Sequence, residues 1–260
     1  MAQAITAFQN LIQHLRENMS DSIIKDFKEP DLKGRNNLNL EENSTRLKKG
    51  NQYRDLSTVW VTPTKGHYLD DQVVFQSWDS IVKPMNQQFL KICIANAEVG
   101  DAYNAAIELI LCRDDYPTPW KYMLTVETDN LPPKDGLMKL YESIDDYDII
   151  GGLYWMKGEY KTAHIYGDPS KPGTFFPQVP EPGKVQPCNM VAMGFTLWNL
   201  DVFRKIPKPW FKTSDAGDST EFTQDGYFFK KAHDLGIPLR VACDNRVEVG
   251  HIDFKTRIIY

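Results

Sequence analysis

Strand-like and helix-like segments alternate along the middle of the chain, and this alternation constrains the fold more than any other feature. Apolar runs rich in β-branched and aromatic residues predict buried strands; they are Leu56–Thr62, Gln88–Asn96, Tyr122–Val126 and Asp148–Trp155. Segments with helical spacing lie between them, at Asp70–Lys83, Asp101–Cys112 and Pro132–Ile144. Strands separated by helices predict an α/β fold, with a mostly parallel central sheet and helices on both faces.

The second half of the domain has a weaker pattern. Lys157–Pro187 is long and rich in Pro and Gly, which predicts an active-site loop or short hairpins. Further elements are predicted as a strand or strand-turn at Asn189–Trp198, helices at Asp201–Ile206 and Glu221–Leu235, a strand at Leu239–Cys243 and an extended segment at Arg246–Ile252. Gly236 follows the longer helix, where a carboxyl-terminal glycine is favoured.

The amino-terminal 54 residues differ from the rest. Apolar residues recur at helical spacing through the first 27 positions, which predicts an amphipathic helix, or two broken near Ser20–Ser22. A polar connector follows. We therefore divide the chain into a helical extension at 1–54 and a main domain at 55–260. The helix either packs on the main domain or binds a partner, with a homo-oligomer as one such assembly.

Composition excludes several classes of protein. The formal net charge is −5, from 35 acidic and 30 basic residues, and no basic block stands out, so binding of nucleic acid through charge is not expected. The four cysteines are far apart, which argues against a zinc site and a disulfide framework. No apolar stretch reaches the roughly 18 residues of a transmembrane helix. A cytoplasmic protein with reduced thiols is expected.

The strand at Tyr122–Val126 is followed by two acids two positions apart, Glu127 and Asp129. In extended chain, positions i and i+2 face the same way, and open α/β sheets bind ligands at the carboxyl ends of their strands. Two adjacent carboxylates repel unless a cation lies between them, and Mg²⁺ and Mn²⁺ favour oxygen ligands. The alternative is a solvated acidic turn before Leu131.

Four motifs occur in a characteristic order. The first strand ends in Thr62-Pro63-Thr64-Lys65-Gly66, the third in Glu127-Thr128-Asp129, a helix begins near Gln224-Asp225-Gly226, and the last extended segment is Val249-Gly250-His251-Ile252-Asp253. This ordered set resembles the GT-A glycosyltransferases, nucleotide-sugar-dependent enzymes of the type that includes family two. The similarity spans roughly Leu56 to Asp253.

The resemblance implies a metal site. Glu127 and Asp129 take the place of the family's D-x-D motif, with Asp129 as the direct ligand, and His251 matches a late histidine that often completes the metal shell. Glu127 departs from the commoner Asp, so that it reaches the metal through water or holds the ribose. An imidazole beside two carboxylates suits Mn²⁺ better than Mg²⁺.

The resemblance also implies roles in catalysis and substrate binding. Asp225 matches the acid that takes a proton from the acceptor hydroxyl in inverting members; the alternative is a helix-capping residue. Gln224 replaces the family's Glu at an acceptor contact. Donor contacts are expected from Thr62, Pro63, Thr64, Lys65, Asn104, Glu127 and Thr128. Weaker acceptor-side candidates are Trp155, Gly194 and Trp210.

The expected function is metal-dependent transfer of a sugar from a nucleoside-diphosphate sugar to an acceptor hydroxyl, with inversion at the anomeric carbon. One alternative is a sugar-1-phosphate nucleotidyltransferase, but those enzymes carry a glycine-rich G-x-G-T-R-L loop after the first strand, where this chain has Pro63-Thr64-Lys65-Gly66. A second alternative is a non-catalytic nucleotide- or carbohydrate-binding protein on the same scaffold.

Overall fold

A seven-stranded sheet forms the centre of the computed structural model, which describes residues 54–66, 69–111, 120–158, 162–213 and 223–260. The strands are β1 (Thr58–Thr64), β2 (Phe89–Ala95), β3 (Tyr122–Val126), β4 (Asn130–Leu131), β5 (Ile149–Leu153), β6 (Ile165–Tyr166), β7 (Val185–Cys188), β8 (Met190–Val191), β9 (Phe195–Asn199), β10 (Val241–Glu248) and β11 (Gly250–His251). Four of these strands lie outside the main sheet, as the pairs β11–β4 and β6–β8.

The main sheet has the order β2-β1-β3-β9-β5-β10-β7. β1 pairs in parallel with β2 and β3, and β5 pairs in parallel with β10. β9 runs antiparallel between β3 and β5, and β7 runs antiparallel at the edge. Five strands therefore share one direction, which confirms the predicted mostly parallel sheet and brings the carboxyl ends of β1, β2 and β3 to one edge.

Helices cover both faces of this sheet, in the part of the chain that is described. They are α1 (Asp71–Gln76), α2 (Val99–Leu111), α3 (Gly136–Ser143), α4 (Asp201–Lys205) and α5 (Gln224–Asp234). Alternate residues of β1 point to opposite faces: Val59 and Val61 pack in a core with α2, α4 and α5, and Trp60 packs in a second core with α1 and α3. The prediction of helices on both faces is confirmed.

The prediction of one helix at Asp70–Lys83 is wrong. The helix ends at Gln76 and a short 3₁₀ turn follows at Trp78–Ser80. The hydroxyl of Ser77 donates to the Pro132 carbonyl at 2.8 Å, and the indole nitrogen of Trp78 donates to the Asn130 carbonyl at 3.0 Å. These bonds tie the segment to the chain after β3, so tertiary contacts override the local helical pattern.

Two other helix starts differ from the prediction. α2 begins at Val99, two residues before Asp101, because the Glu98 carboxylate accepts from the backbone N–H groups of Gly100 and Asp101 at 2.7 and 3.2 Å. α3 begins at Gly136 instead of Pro132, after a turn in which Gly136 N donates to the Pro133 carbonyl at 2.9 Å.

Residues Asp55–Tyr260 form one compact unit. The predicted helix or helices within residues 1–27 lie outside the described residues. None of the helices in the described ranges has the length and hydropathy needed to cross a bilayer. Cys93, Cys188 and Cys243 are free thiols, and the Pro- and Gly-rich segment contains β6 and the start of β7.

Candidate active site

The turn after β3 places Glu127 and Asp129 at the carboxyl edge of the sheet. The backbone N–H of Glu127 donates to the Gly194 carbonyl at 3.1 Å, and the N–H of Asn130 donates back to the Glu127 carbonyl at 3.1 Å. A side chain at Gly194 would not fit, because its Cβ would lie 2.6 Å from the Asn130 amide oxygen and 2.7 Å from the Tyr154 hydroxyl. Gly194 therefore lets the β9 turn approach β3 closely.

His251 meets Asp129 through strand pairing. β11 pairs with β4 so that His251 lies opposite Asn130, and the N–H of Ile252 donates to the Asp129 carbonyl at 2.9 Å. The His251 Nε2 atom is 3.4 Å from Asp129 Oδ2. Its Nδ1 lies 2.7 Å from the carbonyl oxygen of Trp155, which can only accept, so Nδ1 carries a proton.

This tautomer has a chemical consequence. Because Nδ1 donates to the Trp155 carbonyl, Nε2 is the ring nitrogen that faces Asp129, and it would offer its lone pair to a cation bound there. A hydrogen bond from the second ring nitrogen to a carbonyl is the usual support of a metal-binding histidine. Asp129 and His251 therefore fit a divalent cation.

A lysine that the sequence analysis did not identify also contacts Asp129. The Lys157 ammonium donates to Asp129 Oδ2. Burial would raise the pKa of the Asp129 carboxyl, but the bonds from His251 and Lys157 outweigh it and lower that pKa to about 2. Lys157 begins the Pro- and Gly-rich segment, where a single lysine carries no signal of its own.

Glu127 has a different environment. Burial raises the pKa of its carboxyl to about 8, and the charges of Asp129 and Asp225 add to the effect. Its Oε1 atom is 3.5 Å from the Gln224 amide nitrogen. No set of three or more His, Cys, Asp or Glu side chains is grouped for a metal ion among the described residues. The direct contact is between Asp129 and His251.

Asp225 lies in the first turn of α5 and is 6% exposed. Its Oδ1 atom accepts from the backbone N–H of Gly226 at 2.9 Å and from the hydroxyl of Thr223. Burial raises the pKa of this carboxyl, against the lowering effect of those hydrogen bonds. A carboxyl whose pKa is moved toward neutrality is suited to exchange a proton.

A cleft of about 820 Å³ opens beside Asp129. The predicted donor-side residues Pro63, Thr64, Lys65, Glu127 and Thr128 line it, since they lie at the carboxyl ends of the neighbouring strands β1 and β3. Among the wall residues that were not predicted, Asp70 and Arg257 form an ion pair of 2.5 Å. Arg257 follows the last matched motif, beyond the span of the family resemblance.

Three predicted site residues have their side chains in the packing of the domain. Thr62 is fully buried, and its hydroxyl accepts from the Trp60 indole at 2.7 Å. The Asn104 amide bonds the backbone of Trp210 and Phe211. Trp210 is 3% exposed, and its indole donates to two backbone carbonyls of the 203–206 segment. These contacts engage both the oxygen and the nitrogen of the Asn104 amide in the fold and bury the Trp210 ring.

The other predicted acceptor-side residues, Trp155 and Gln224, lie next to His251 and Glu127. Trp155 is half-buried against the core, and its carbonyl holds His251. Gln224 begins α5 beside Glu127. Near them lies a group that the sequence analysis missed: the His164 ring is 4.5 Å from the Tyr154 ring and 6.0 Å from the His251 ring, between centroids. Burial lowers the pKa of His164 to about 4, so that ring is neutral.

Solved structures align with most of the chain. The crystal structure of A197 from STIV aligns with a TM-score of 0.53 and 16% identity, over 78% of this chain and 93% of that one. S. aureus TarS 1–349 in complex with UDP-GlcNAc aligns with a TM-score of 0.43 and 12% identity, over 72% of this chain and 56% of TarS. GalNAc-T7 with UDP, GalNAc and Mn²⁺ aligns with a TM-score of 0.47 and 10% identity, over 75% and 43% of the two chains.

The sheet order and the alignment with A197 agree with the predicted architecture. The fold is of the GT-A type. No protein-family model matches the sequence, and no curated protein matches it. At these identities the likeness extends to the fold alone, so the chemistry of the GT-A-type domain has to be argued from its own residues.

Proposed function

We propose that this protein is a glycosyltransferase that moves a sugar from a nucleoside-diphosphate sugar to an acceptor hydroxyl with inversion. One arrangement carries the proposal: Asp129, which lines an 820 Å³ cleft, lies 3.4 Å from His251, and Asp225 lies near enough for its charge to raise the pKa of Glu127. Such a transfer requires two residues that can bind a cation, a cleft large enough for the donor and a carboxyl that can accept a proton. Asp129 with His251, the cleft and Asp225 would supply these three parts.

Asp129 and His251 would hold a divalent cation, which when bound stabilises the negative charge on the departing diphosphate. The carboxylate and imidazole are ligands that Mn²⁺ accepts more readily than Mg²⁺, so we propose Mn²⁺ as the better activator. Glu127, with its pKa of about 8 in the metal-free protein, is better placed for the ribose or a metal-bound water than for direct coordination.

The donor would occupy the cleft at the ends of β1 and β3. Its wall offers Thr64 and Thr128 as hydrogen-bonding groups and Lys65 and Arg257 as positive charges for a diphosphate.

Asp225 would act as the general base. Thr223 and Gly226 both donate to Oδ1, so Oδ2 would take the proton. As the acceptor oxygen forms a bond to the anomeric carbon, its proton passes to Asp225, and the bond from that carbon to the diphosphate breaks with its electron pair. Attack from the side opposite the leaving group inverts the anomeric centre.

Some parts of the proposal rest on the sequence alone. They are the cytoplasmic location and a homo-oligomer formed through the amino-terminal helix, which lies outside the described residues. The nucleoside base and the sugar are to be found with a thermal-shift panel of UDP, GDP, CMP and dTDP sugars with and without Mn²⁺. A ligand at 100 times its Kd stabilises the folded state by about 2.7 kcal/mol, which such a panel detects.

Replacing Asp225 with Asn tests the mechanism. This change keeps the shape and removes the proton acceptor, so turnover should fall by roughly 10²–10⁴ while the donor Kd, measured by calorimetry, stays near that of the wild type. Asp234→Asn, at the exposed end of the same helix, is the matched control and should keep full turnover. Near wild-type turnover in Asp225→Asn would return this residue to a helix-capping role and contradict inversion with Asp225 as base.

A further inference from the structure

The Lys157 ammonium occupies the carboxylate oxygen that a divalent cation would need. We propose that Lys157 is a competing internal cation: it holds Asp129 in the free protein, must leave when the metal binds, and thereby makes metal binding depend on the nucleotide. This inference rests on the proposed metal site at Asp129 and His251.

The two oxygens of Asp129 have different partners. Oδ1 accepts from the Asn130 amide at 3.1 Å, whereas Oδ2 accepts from Lys157 and faces His251 Nε2 at 3.4 Å. The oxygen that lies against His251 is therefore the one that Lys157 holds. A cation bound to both Asp129 and His251 would have to take the place of the ammonium.

The ammonium and a divalent ion cannot share this oxygen without strong repulsion between their charges. The ion pair between Lys157 and Asp129 is partly shielded from solvent, since the two side chains are 30% and 25% exposed. A charge-assisted bond in such a position is stronger than an ion pair on the open surface. Lys157 should therefore weaken metal binding to the free protein substantially.

Release of Lys157 leaves an ammonium that needs a new anionic partner near the edge of the sheet. The diphosphate of a donor, bound in the cleft that Asp129 lines, would supply one. Divalent cation and nucleoside diphosphate should then bind with positive coupling, each raising the affinity for the other by the same factor. Removing the charge of Lys157 should reduce that coupling.

The experiment measures Mn²⁺ binding to the full-length protein without nucleotide, by the electron paramagnetic resonance signal of free Mn²⁺, and repeats it with UDP and with GDP. Lys157→Gln should lower the Mn²⁺ Kd in the absence of nucleotide on the order of tenfold, the effect of removing one charge-assisted bond, and should reduce the coupling to nucleotide. Lys157→Arg keeps the charge and should retain the weak binding of the wild type.

Lys139→Gln is the matched control. Lys139 pairs with Asp135 at 2.8 Å and is 29% exposed, close to the value for Lys157, but it lies on α3. It should leave the Mn²⁺ Kd unchanged. An equal change in both variants would make the effect one of net charge and overturn the proposal. An unchanged Kd in a folded Lys157→Gln, verified by circular dichroism, would also overturn it while leaving the metal site in place. Absence of Mn²⁺ binding in every variant, with and without nucleotide, would overturn the metal site and the competition together.

Discussion

Asn104→Ala separates a structural role from a donor-binding role for this residue. The Asn104 amide oxygen accepts from the backbone N–H groups of Trp210 and Phe211, both at 3.0 Å, and its amide nitrogen donates to the Phe211 carbonyl at 2.7 Å. One side chain on α2 thus satisfies three backbone groups of the segment that leads toward α5. Trp210 and Phe211 are themselves buried, at 3% and 1% exposure.

The expected loss in the free energy of unfolding follows from these three hydrogen bonds. Each contributes about 0.5–1.5 kcal/mol net, and truncation leaves the partner groups unsatisfied, so the free energy of unfolding should fall by about 3 kcal/mol. For a domain of this size, that loss lowers the Tm by roughly 6–12 °C. Donor affinity in the folded fraction should stay near that of the wild type, because the amide is already engaged.

Urea denaturation followed by tryptophan fluorescence measures the stability, and calorimetry at low temperature measures the donor Kd. Glu108→Ala is the control: Glu108 is an exposed residue of the same helix, paired with Lys208 at 2.8 Å, and its loss should cost about 1 kcal/mol at most. A stability of Asn104→Ala within 1 kcal/mol of the wild type, combined with donor binding weakened tenfold or more, would refute the structural role and restore the predicted nucleotide contact.

Two further predictions concern the turn after β3. Gly194→Ala should lower the free energy of unfolding by about 1–3 kcal/mol, because the added methyl group would overlap Tyr154 and Asn130; a loss below 0.5 kcal/mol in urea denaturation would show that the turn relaxes. Since the pKa of Glu127 is raised to about 8 in the folded metal-free protein, its contribution to stability is present below pH 4.5 and lost as the pH rises through 8. Glu127→Gln should therefore gain stability relative to the wild type between pH 5 and pH 8.5 in EDTA, and a constant difference between the two proteins across that range would contradict the raised pKa.

The sequence by itself determined the elements whose pattern is local. β3 occupies Tyr122–Val126 as predicted. A run of five apolar or β-branched residues between polar ones is too short for a helix and has the length of a buried strand. The resemblance to the GT-A glycosyltransferases implied donor contacts from Thr64, Lys65, Glu127 and Thr128, and these residues line one cleft because parallel strands bring their carboxyl ends to one edge. The helix predicted at Glu221–Leu235 from its apolar spacing is observed at Gln224–Asp234 in the described residues.

Tertiary structure alone decided which side chains of the candidate site are free and which are engaged. Asn and Trp are residue types that often bind ligands. In this fold, however, the Asn104 side chain is hydrogen-bonded to a segment 107 positions away and Trp210 is buried. Lys157 and Arg257 carry no local signal, and they reach the site through pairs with Asp129 and Asp70, the latter 187 positions away. The His251 tautomer depends on the Trp155 carbonyl, 96 positions away. Periodicity and spacing report on neighbours within a few residues, whereas these hydrogen bonds and charges depend on which distant segments the fold brings together.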